Sequence, residues 1–239
     1  MSGGFVQRVF PPKTEVPTYN PEKAAVYELG FKWDGLDHRL RVNGSLFHTN
    51  YRDLQIEVND GIAPVTRNAA TAKVDGLELE ITAIPARGWL IQSGLGYMDA
   101  RYTRLDPREN FTTDIRSITL DSALIDAPKW SISEGVQYEH SIATGAILRA
   151  RADWSYRTKT YKDALNTPQL TQGAYGLLDL SPTYVSPSGK VDVCAFGRNV
   201  ADKVYIVSGY ANGLTQGHAT AIIGQPAEWG ICGAYHFGN

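Results

Sequence analysis

Two carboxylates lie one residue apart in the stretch "VDGLELEITA" at positions 74–83, and such a pair can act as general acid and base. Side chains two residues apart on a strand point to the same side, at roughly the carboxyl separation found in retaining glycosidases. No other part of the sequence supplies supporting groups for Glu78 and Glu80. We therefore interpret them as the water-facing side of an amphipathic strand.

Other sequence patterns also give no positive sign of catalysis. The histidines lack the His-x-His and His-Glu-x-x-His spacings of metal sites; they are His38, His48, His140, His218 and His236. The stretch "SPSGK" at 186–190 lacks the upstream glycine of a phosphate loop and is interpreted as a turn. No Gly-x-Ser-x-Gly elbow occurs, and neither cysteine has a local histidine partner. We predict no catalytic residue, no metal site and no cofactor, so the protein is not expected to be an enzyme.

Composition narrows the class of protein. The 239 residues carry a net charge of −2 with scattered basic residues, which excludes nucleic acid as a partner. Aromatic residues (13 Tyr, 5 Trp and 7 Phe) far outnumber the 2 Met and favour strands. The start shows no signal peptide, and no apolar run is long enough for a membrane helix. A membrane β-barrel remains possible because its signal is alternation.

Alternation of apolar and polar residues predicts about nine strands. Tyr27, Leu29, Phe31 and Trp33 share one parity, and a sharp alternation recurs over 148–156. Many of these segments are longer than the five or six residues usual in soluble sheets. In the third strand we expect the leucines and isoleucine beside Glu78 and Glu80 to face lipid, and the acids to face an aqueous lumen.

The connections alternate in length as regularly as the side chains. Short turns are predicted at 34–37, 85–88, 140–145 and 186–190, and longer connections at 58–68, 105–127, 161–172 and 209–224. Outer-membrane barrels place tight turns at the periplasmic end and extended loops outside. The sequence therefore predicts an all-β, antiparallel, up-and-down segment of a transmembrane β-barrel.

Six segments together resemble the C-terminal half of the barrel of TonB-dependent receptors. They are "NPEKAAVYELGFK" (20–32), "LRVNGSLFHTNYRDLQ" (40–55), "NAATAKVDGLELE" (68–80), "GYMDARY" (96–102), "GRNVADKVY" (197–205) and "GQPAEWGICGAYHF" (224–237). The resemblance implies a 22-stranded outer-membrane barrel with a plug in its lumen. Such a receptor imports a scarce solute, such as a siderophore, cobalamin or a glycan, with energy relayed by TonB.

The resemblance also implies what this chain contributes. We expect residues 1–239 to be a partial barrel domain of about nine strands, with an external loop over 1–23 and strands over 24–237. We expect these residues to contain no plug domain and to be a C-terminal barrel fragment that does not work alone. The implied location is the outer membrane of a Gram-negative bacterium. The implied partners are the lipid bilayer, an imported small-molecule ligand, and the TonB complex acting through the missing N-terminal plug.

Two features near the C-terminus invite structural interpretations. Asn199, Asp202 and Tyr205 resemble the family's Asn-x-x-Asp-x-x-Tyr signature, and we expect the Asn and Asp to bond nearby backbone. Cys194 and Cys232 are expected on the last two strands. The periplasm is oxidising, so a disulfide between them could form there. Because bridge geometry is narrow, two unpaired small residues are the favoured interpretation.

Ligand contacts are expected on the external loops, since functional residues favour loops on a rigid scaffold. The candidates are Tyr19, Arg108, Phe111, Tyr161, Lys162, Tyr210 and Asn212. Two alternatives stay open. A small self-contained outer-membrane barrel, acting as pore or enzyme, predicts an even number of strands closing on themselves. A soluble β-sandwich binding module predicts that Trp33, Leu79, Trp154 and Trp229 are buried in a core.

Overall fold

The computed structural model describes residues 4–5, 18–60, 63–106, 118–212 and 217–237. Most of them form one open antiparallel sheet of nine strands in which spatial neighbours follow chain order. The strands are β1 (Lys23–Gly35), β2 (Leu40–Asp60), β3 (Ala63–Ala83), β4 (Trp89–Leu105), β5 (Trp130–Ser141), β6 (Ile147–Arg157), β7 (Tyr175–Val185), β8 (Val191–Arg198) and β9 (Glu228–Tyr235). The predicted nine-stranded, up-and-down topology is confirmed.

Short paired segments make up the rest of the secondary structure. Ile206–Asn212 and His218–Ile223 pair as a two-stranded sheet, here called the external hairpin because it lies outside the nine-stranded sheet, at the end with the long connections. The other segments are Gly4–Phe5 with Thr18–Tyr19, Thr160–Tyr161 with Thr171–Gln172, and a 3₁₀ turn at Pro168–Leu170. Among the described ranges, no helix has the length and apolar character needed to cross a membrane.

Two of the predicted long connections are wrong in extent. The segment 58–68 is not a medium loop, because β2 continues to Asp60 and β3 begins at Ala63. The segment 209–224 is not a Gly-rich loop, because most of it belongs to the external hairpin. In both places apolar and polar side chains do not alternate clearly along the sequence. The strands there are formed by backbone pairing, which the sequence pattern does not reveal.

The two faces of the sheet differ in chemistry. On one face, the polar face, Arg151 binds Asp153 at 2.6 Å and Arg149 binds Glu139 at 2.5 Å. A Cβ built on Gly135 would lie 2.7 Å from the Arg151 guanidinium, which places position 135 on that same face. The other, apolar face carries the aliphatic rows. This sorting is the arrangement that the alternation predicts.

Aromatic side chains border the apolar face at two levels. Trp89 of β4 contacts Tyr138 of β5 with ring centroids 4.7 Å apart, near the end with the short turns. Tyr97 contacts Trp130 on the same two strands, also at 4.7 Å, nearer the long connections. Paired aromatic belts that flank an apolar band are typical of transmembrane barrels, where the rings lie at the two lipid–water interfaces.

The solvent exposure of three tryptophans and the number of strands test the two alternatives, a soluble β-sandwich and a small closed barrel. Trp33, Trp154 and Trp229 are 47%, 38% and 66% exposed, so the core that a soluble sandwich needs does not contain them. The nine described strands form an open sheet with β1 and β9 as its edges, and nine is an odd number. The structure therefore contradicts a small barrel of eight or ten strands closed within the described ranges.

Buried apolar packing lies beyond the aromatic level that is nearer the long connections. Ile56, Ala72 and Tyr102, on the long ends of β2, β3 and β4, form a core with Ile118 and Ala164 from the connections. Burial there raises the pKa of the Tyr102 phenol to about 12. Among the described residues, the buried apolar cluster lies at this end of the sheet, outside the apolar band, where connections cover the strands.

Cys194 and Cys232 form a disulfide, which makes the expectation of two unpaired cysteines wrong. The register places them directly opposite each other on β8 and β9. Their Cα atoms are 5.0 Å apart, within the range that a bridge requires. Sequence spacing does not reveal this match, because 38 positions separate the two residues.

Asp34, beyond Trp33 at the turn between β1 and β2, gives a pH-dependent contribution to stability. It accepts a hydrogen bond from Arg41 Nη2 at 3.0 Å and bonds His38 Nδ1 at 2.7 Å, and these contacts lower the pKa of its carboxyl group. A lowered native pKa stabilises the fold above the ordinary aspartate range, and this contribution is lost as pH falls through the native value.

We therefore expect Asp34→Asn to unfold at a lower urea concentration than the parent at neutral pH, with the difference vanishing in strong acid. Asp37→Asn in the same turn is the matched control, since the described structure gives Asp37 no ion pair. Equal urea midpoints for the parent and Asp34→Asn at neutral pH would contradict the expectation.

Candidate functional site

The connections at the long-loop end of the sheet are tied to one another. Asn166 Oδ1 accepts the backbone N–H of Ala123 at 2.7 Å, and Asn166 Nδ2 donates to the Ala123 carbonyl at 3.0 Å. The backbone N–H of Asp126 donates to the Tyr161 carbonyl at 3.0 Å. Two connections that are about 40 residues apart in sequence therefore form one ordered layer.

The external hairpin joins the same layer. Gln172 Oε1 accepts the backbone N–H of Ile206 at 2.6 Å. Leu170, 1% exposed, lies against Gly209, where an added Cβ would be 2.6 Å from Leu170 Cδ2. Glycine at this position lets the hairpin backbone approach the leucine closely.

A cavity of about 460 Å³ opens beneath this layer, where β6 and β7 reach it on the polar face. Its lining combines cations, tyrosines and aliphatic groups: Asp126, Ser155, Arg157, Lys162, Tyr175, Leu177, Tyr205, Ile206 and Val207. A concavity in which charged groups converge beside aromatic and aliphatic side chains can hold a polar small molecule.

The cavity carries a positive charge that its own residues do not balance. The side chain of Lys162 is 7% exposed and forms an ion pair with Asp126. The guanidinium of Arg157 has no hydrogen-bond or ion-pair partner among the described residues. With Asp126 engaged by Lys162, the solvent-exposed Arg157 is available to an anion, and its planar fork suits a carboxylate or phosphate group.

Tyr175 and Tyr205 form the aromatic wall of the cavity. Their rings are stacked, with centroids 4.9 Å apart and planes 17° apart. The Tyr205 ring lies over Gly224, where a built Cβ would be 2.1 Å from the ring Cζ. Glycine at 224 is therefore required for this ring position.

Gly224→Ala is expected to displace the Tyr205 ring and to lower the free energy of unfolding by about 1 to 3 kcal/mol, as overpacking does. Gly173→Ala is the matched control, because a Cβ there meets nothing within 4 Å. Urea unfolding followed by tryptophan fluorescence measures both. Equal stability of the two variants would show that the ring is free to move aside.

Asn199, Asp202 and Tyr205 hold the segment between β8 and the external hairpin. Asn199, 5% exposed, accepts the backbone N–H of Lys203 at 2.8 Å and donates to the carbonyls of Lys203 and Gln225 at 2.9 and 3.0 Å. Asp202 accepts the backbone N–H of Ala227 at 2.9 Å. The prediction that Asn and Asp bond nearby backbone is confirmed, and Tyr205 is thereby positioned in the cavity wall.

Of the predicted ligand residues, the structure brings Lys162 into the cavity lining. Tyr161, under the Lys159 ammonium at 5.0 Å, and Tyr19, in the short pairing with Gly4, lie elsewhere. Tyr210 is 54% exposed on the external hairpin, and Asn212 ends the first strand of that hairpin. Arg108 and Phe111 lie outside the described residues.

The candidate ligand residues taken from the sequence did not include Arg157 and Tyr175, because they lie at strand ends and the candidates were sought on loops. Tyr205 was interpreted only as part of a structural signature. A usable signal was present for Arg157. Alternation places Ser155 and Arg157 on the polar face, and Arg157 ends β6 at the edge where long connections begin.

Glu78 and Glu80 lie elsewhere on the polar face, in a shallow groove of about 470 Å³ shared with Glu28 and Lys32. Both acids are exposed, and Asn43 Nδ2 donates to Glu80 Oε2 at 3.3 Å. Their position agrees with the interpretation of a solvated strand face. Among the described residues, no group of three or more His, Cys, Asp or Glu is arranged to hold a metal ion.

Several receptors are similar to this chain in sequence or in structure. The probable TonB-dependent siderophore receptor PiuA of Acinetobacter baumannii is 28% identical over 200 residues, which are 81% of this chain and 25% of that protein. The ferric yersiniabactin uptake receptor FyuA of Yersinia pestis has a TM-score of 0.76 at 22% identity, over 98% of this chain and 33% of that one. For the ferripyoverdine receptor of the outer membrane of Pseudomonas aeruginosa the TM-score is 0.60 at 22% identity, over 91% and 27%.

The chain thus spans about a quarter to a third of the length of these proteins. The structural likenesses establish the fold as part of a receptor barrel. The model of the family described as "TonB dependent receptor-like, beta-barrel" matches residues 2–200, which is more than half of the chain. The chain belongs to the TonB-dependent receptor-like β-barrel family.

Proposed function

We propose that this chain forms part of the wall of an outer-membrane TonB-dependent receptor that takes up a scarce metal chelate of the siderophore class. The observation that carries the proposal is the sorting of nine strands into a charged face and an apolar face bordered by aromatic pairs, in a member of this family. That sorting fits a wall with lipid on one side and water on the other.

In this proposal the short turns lie in the periplasm and the tied connections lie outside the cell. The polar face lines the lumen, and TonB acts through a plug domain elsewhere in the receptor. The cavity beneath the external layer then opens toward the route that a ligand takes from outside. The sequence candidates Tyr19, Arg108, Phe111, Tyr161, Tyr210 and Asn212 are proposed to make further contacts around the external rim.

The chemistry of the cavity supports an anionic ligand with planar groups. Arg157 offers an unbalanced cation, and the stacked Tyr175 and Tyr205 rings offer an apolar surface with hydroxyl groups. Siderophores present carboxylate, catecholate or hydroxamate oxygens around a metal, so such a chelate matches this lining better than a neutral glycan does. The similarity to a probable siderophore receptor supports the same class.

Uptake of ⁵⁵Fe supplied as ferric yersiniabactin, ferric preacinetobactin or ferripyoverdine tests the proposal in a host whose own receptors are deleted. We expect the complete receptor to give saturable uptake of at least one chelate, and deletion of TonB to abolish it. Arg157→Ala is expected to raise the half-saturating concentration about tenfold or more, as loss of a charge-assisted hydrogen bond does.

Arg149→Ala is the matched control, since it removes the same charge from the same strand at the Glu139 ion pair, away from the cavity. The siderophore class is contradicted if none of the three chelates enters in a TonB-dependent manner. If Arg149→Ala and Arg157→Ala weaken uptake equally, the cavity is not the ligand site.

A further inference from the structure

Strands β1 to β4 continue past the aromatic level that is nearer the long connections, and the apolar side of the sheet becomes charged there. The Tyr27 ring lies near the His48 ring, with centroids 6.4 Å apart, and His48 Nδ1 bonds Asp75 Oδ1 at 2.5 Å. Arg101 Nη2 donates to Asp75 Oδ2 at 3.1 Å. Because Tyr27 shares the parity of Leu29, these polar groups lie on the same side of the sheet as the aliphatic rows.

Five cations lie on this charged part of the surface. Lys129 Nζ is 5.8 Å from the centroid of the Tyr97 ring, at the aromatic level itself. The other four follow from Tyr27 and Asp75 by alternation and by the cross-strand register. We call the group the outer basic patch; its members are Lys23, Arg52, Lys73, Arg101 and Lys129.

Two cross-strand pairs in the patch join like charges. Lys23 is directly opposite Arg52 on β1 and β2, and Lys73 is directly opposite Arg101 on β3 and β4. Like charges directly opposite each other destabilise a sheet. In the part of the chain that the structure describes, the side chains of Lys23, Arg52 and Lys73 have no hydrogen-bond or ion-pair partner. An anion bound between these side chains would relieve the repulsion.

The carboxylates on this surface do not supply that anion. Arg101 forms ion pairs with both Asp75 and Asp99. Asp53 lies in the bulge that follows Arg52 and forms no ion pair within the described ranges. Even when Asp53 is counted, five cations stand against three carboxylates, so the surface keeps a net positive charge.

The patch lies at the height of lipid head groups, since aromatic belts mark the edges of the hydrocarbon. Lys23 is four residues from Tyr27 on β1, and Arg101 is four residues from Tyr97 on β4. Four residues rise about 14 Å along a strand, or about 10 Å along the membrane normal at the tilt of about 40° usual for barrel strands. Head groups extend about 5 to 8 Å beyond the hydrocarbon, and long cationic side chains bend toward them.

Exposed aliphatic side chains lie beneath the patch. Leu29 of β1 and Leu46 of β2 are directly opposite each other and are 75% and 59% exposed. A molecule with a phosphate group on the patch and acyl chains below it contacts both parts of this surface. A free phosphate ion uses only the charged part, so the surface fits a lipid better than a soluble anion.

We propose that the outer basic patch binds the phosphate groups of an anionic lipid in the outer leaflet of the membrane. The Arg52 guanidinium presents a planar fork to phosphate oxygens, and Lys23 and Lys73 add positive charge beside it. The acyl chains lie on the aliphatic rows beneath, and basic clusters next to a bilayer recognise anionic lipids in this way. The site is separate from the ligand cavity on the polar face, and the inference rests on the outer-membrane placement proposed above.

Native mass spectrometry of the complete receptor in detergent tests the inference, with diphosphoryl lipid A as the probe. We expect the parent to bind this lipid saturably and to bind monophosphoryl lipid A about fivefold more weakly. Arg52→Gln and Lys73→Gln each remove a cation that has no ion pair among the described residues. Each is expected to raise the Kd for diphosphoryl lipid A about fivefold, and the double variant about 25-fold.

Lys32→Gln is the matched control, because it removes a cation without an ion pair in the described structure from β1, on the polar face. We expect it to leave the Kd within about twofold of the parent, since its charge is screened from the lipid site. Heat-modifiable electrophoretic mobility reports the folding of each sample separately.

Four results would overturn the inference. A folded parent that binds no diphosphoryl lipid A overturns the lipid site alone, as does a folded double variant that binds it like the parent. Displacement of the lipid by millimolar inorganic phosphate overturns a lipid as the occupant and identifies a site for free phosphate. A parent receptor without heat-modifiable mobility overturns the membrane placement and this site together.

Discussion

Replacing Asn199 with alanine is expected to lower the free energy of unfolding by about 3 to 5 kcal/mol. The side chain is buried and makes three hydrogen bonds to backbone groups of Lys203 and Gln225. Removing it leaves those groups unsatisfied, at about 1 to 3 kcal/mol for each poorly solvated group. Its backbone has φ 46°, a left-handed conformation that costs alanine about 1 to 2 kcal/mol more than it costs glycine.

Urea unfolding of the complete receptor in liposomes measures this loss. Asn199→Gly separates the two causes, because glycine tolerates the positive φ and loses only the hydrogen bonds. It is expected to be more stable than Asn199→Ala by about 1 to 2 kcal/mol. A loss below about 1 kcal/mol in Asn199→Ala would mean that water replaces the side chain without cost.

Leu79→Arg is expected to destabilise the inserted receptor by about 2 to 4 kcal/mol, because it places a cation on the lipid-facing surface. Leu79 belongs to the same cross-strand row as Phe31 of β1 and Gly44 of β2. Phe31 lies between the aromatic residues Tyr27 and Trp33, so this row crosses the apolar band well inside its borders.

Glu80→Arg is the control for this prediction, since it makes the same arginine one residue further on but on the polar face. We expect it to change the free energy of unfolding by less than about 1 kcal/mol, because its charge stays in water. Urea unfolding in liposomes compares the two. Equal losses would contradict the assignment of the two faces to lipid and water.

The strand pattern was predictable wherever one parity is apolar and the other is charged. Tyr27 to Trp33 and the strand around Arg149 and Arg151 alternate so strictly that no other backbone arrangement separates the two sets of side chains. The external hairpin was missed because aliphatic residues occupy both parities there, as in Ile206–Val207 and Ile222–Ile223. Its strands are held by backbone pairing and by Leu170, which sequence periodicity does not register.

The candidate site was less predictable than the fold, because it is assembled from distant segments. Tyr175 and Tyr205 meet only after β8 and its following turn bring position 205 back over β7. The Asn-x-x-Asp-x-x-Tyr spacing indicated that Asn199 and Asp202 would bond backbone, and those bonds position Tyr205. The unbalanced charge of Arg157 depends on Asp126 pairing with Lys162, a choice between partners that only tertiary structure makes.

The bridge between Cys194 and Cys232 has a mechanical consequence for the sheet. Separating β8 from β9 sideways requires breaking a covalent bond. The contact between these two strands therefore withstands forces that would break a ladder held by hydrogen bonds alone. The junction between β7 and β8 is different. Its ladder pairs Leu180 with Gly197 and then Thr183 with Cys194, skipping the rungs around Pro182, which has no N–H to donate. If the sheet is stretched sideways, we expect β7 and β8 to separate first, beginning at Pro182. β8 and β9 then move away together, because the disulfide joins them.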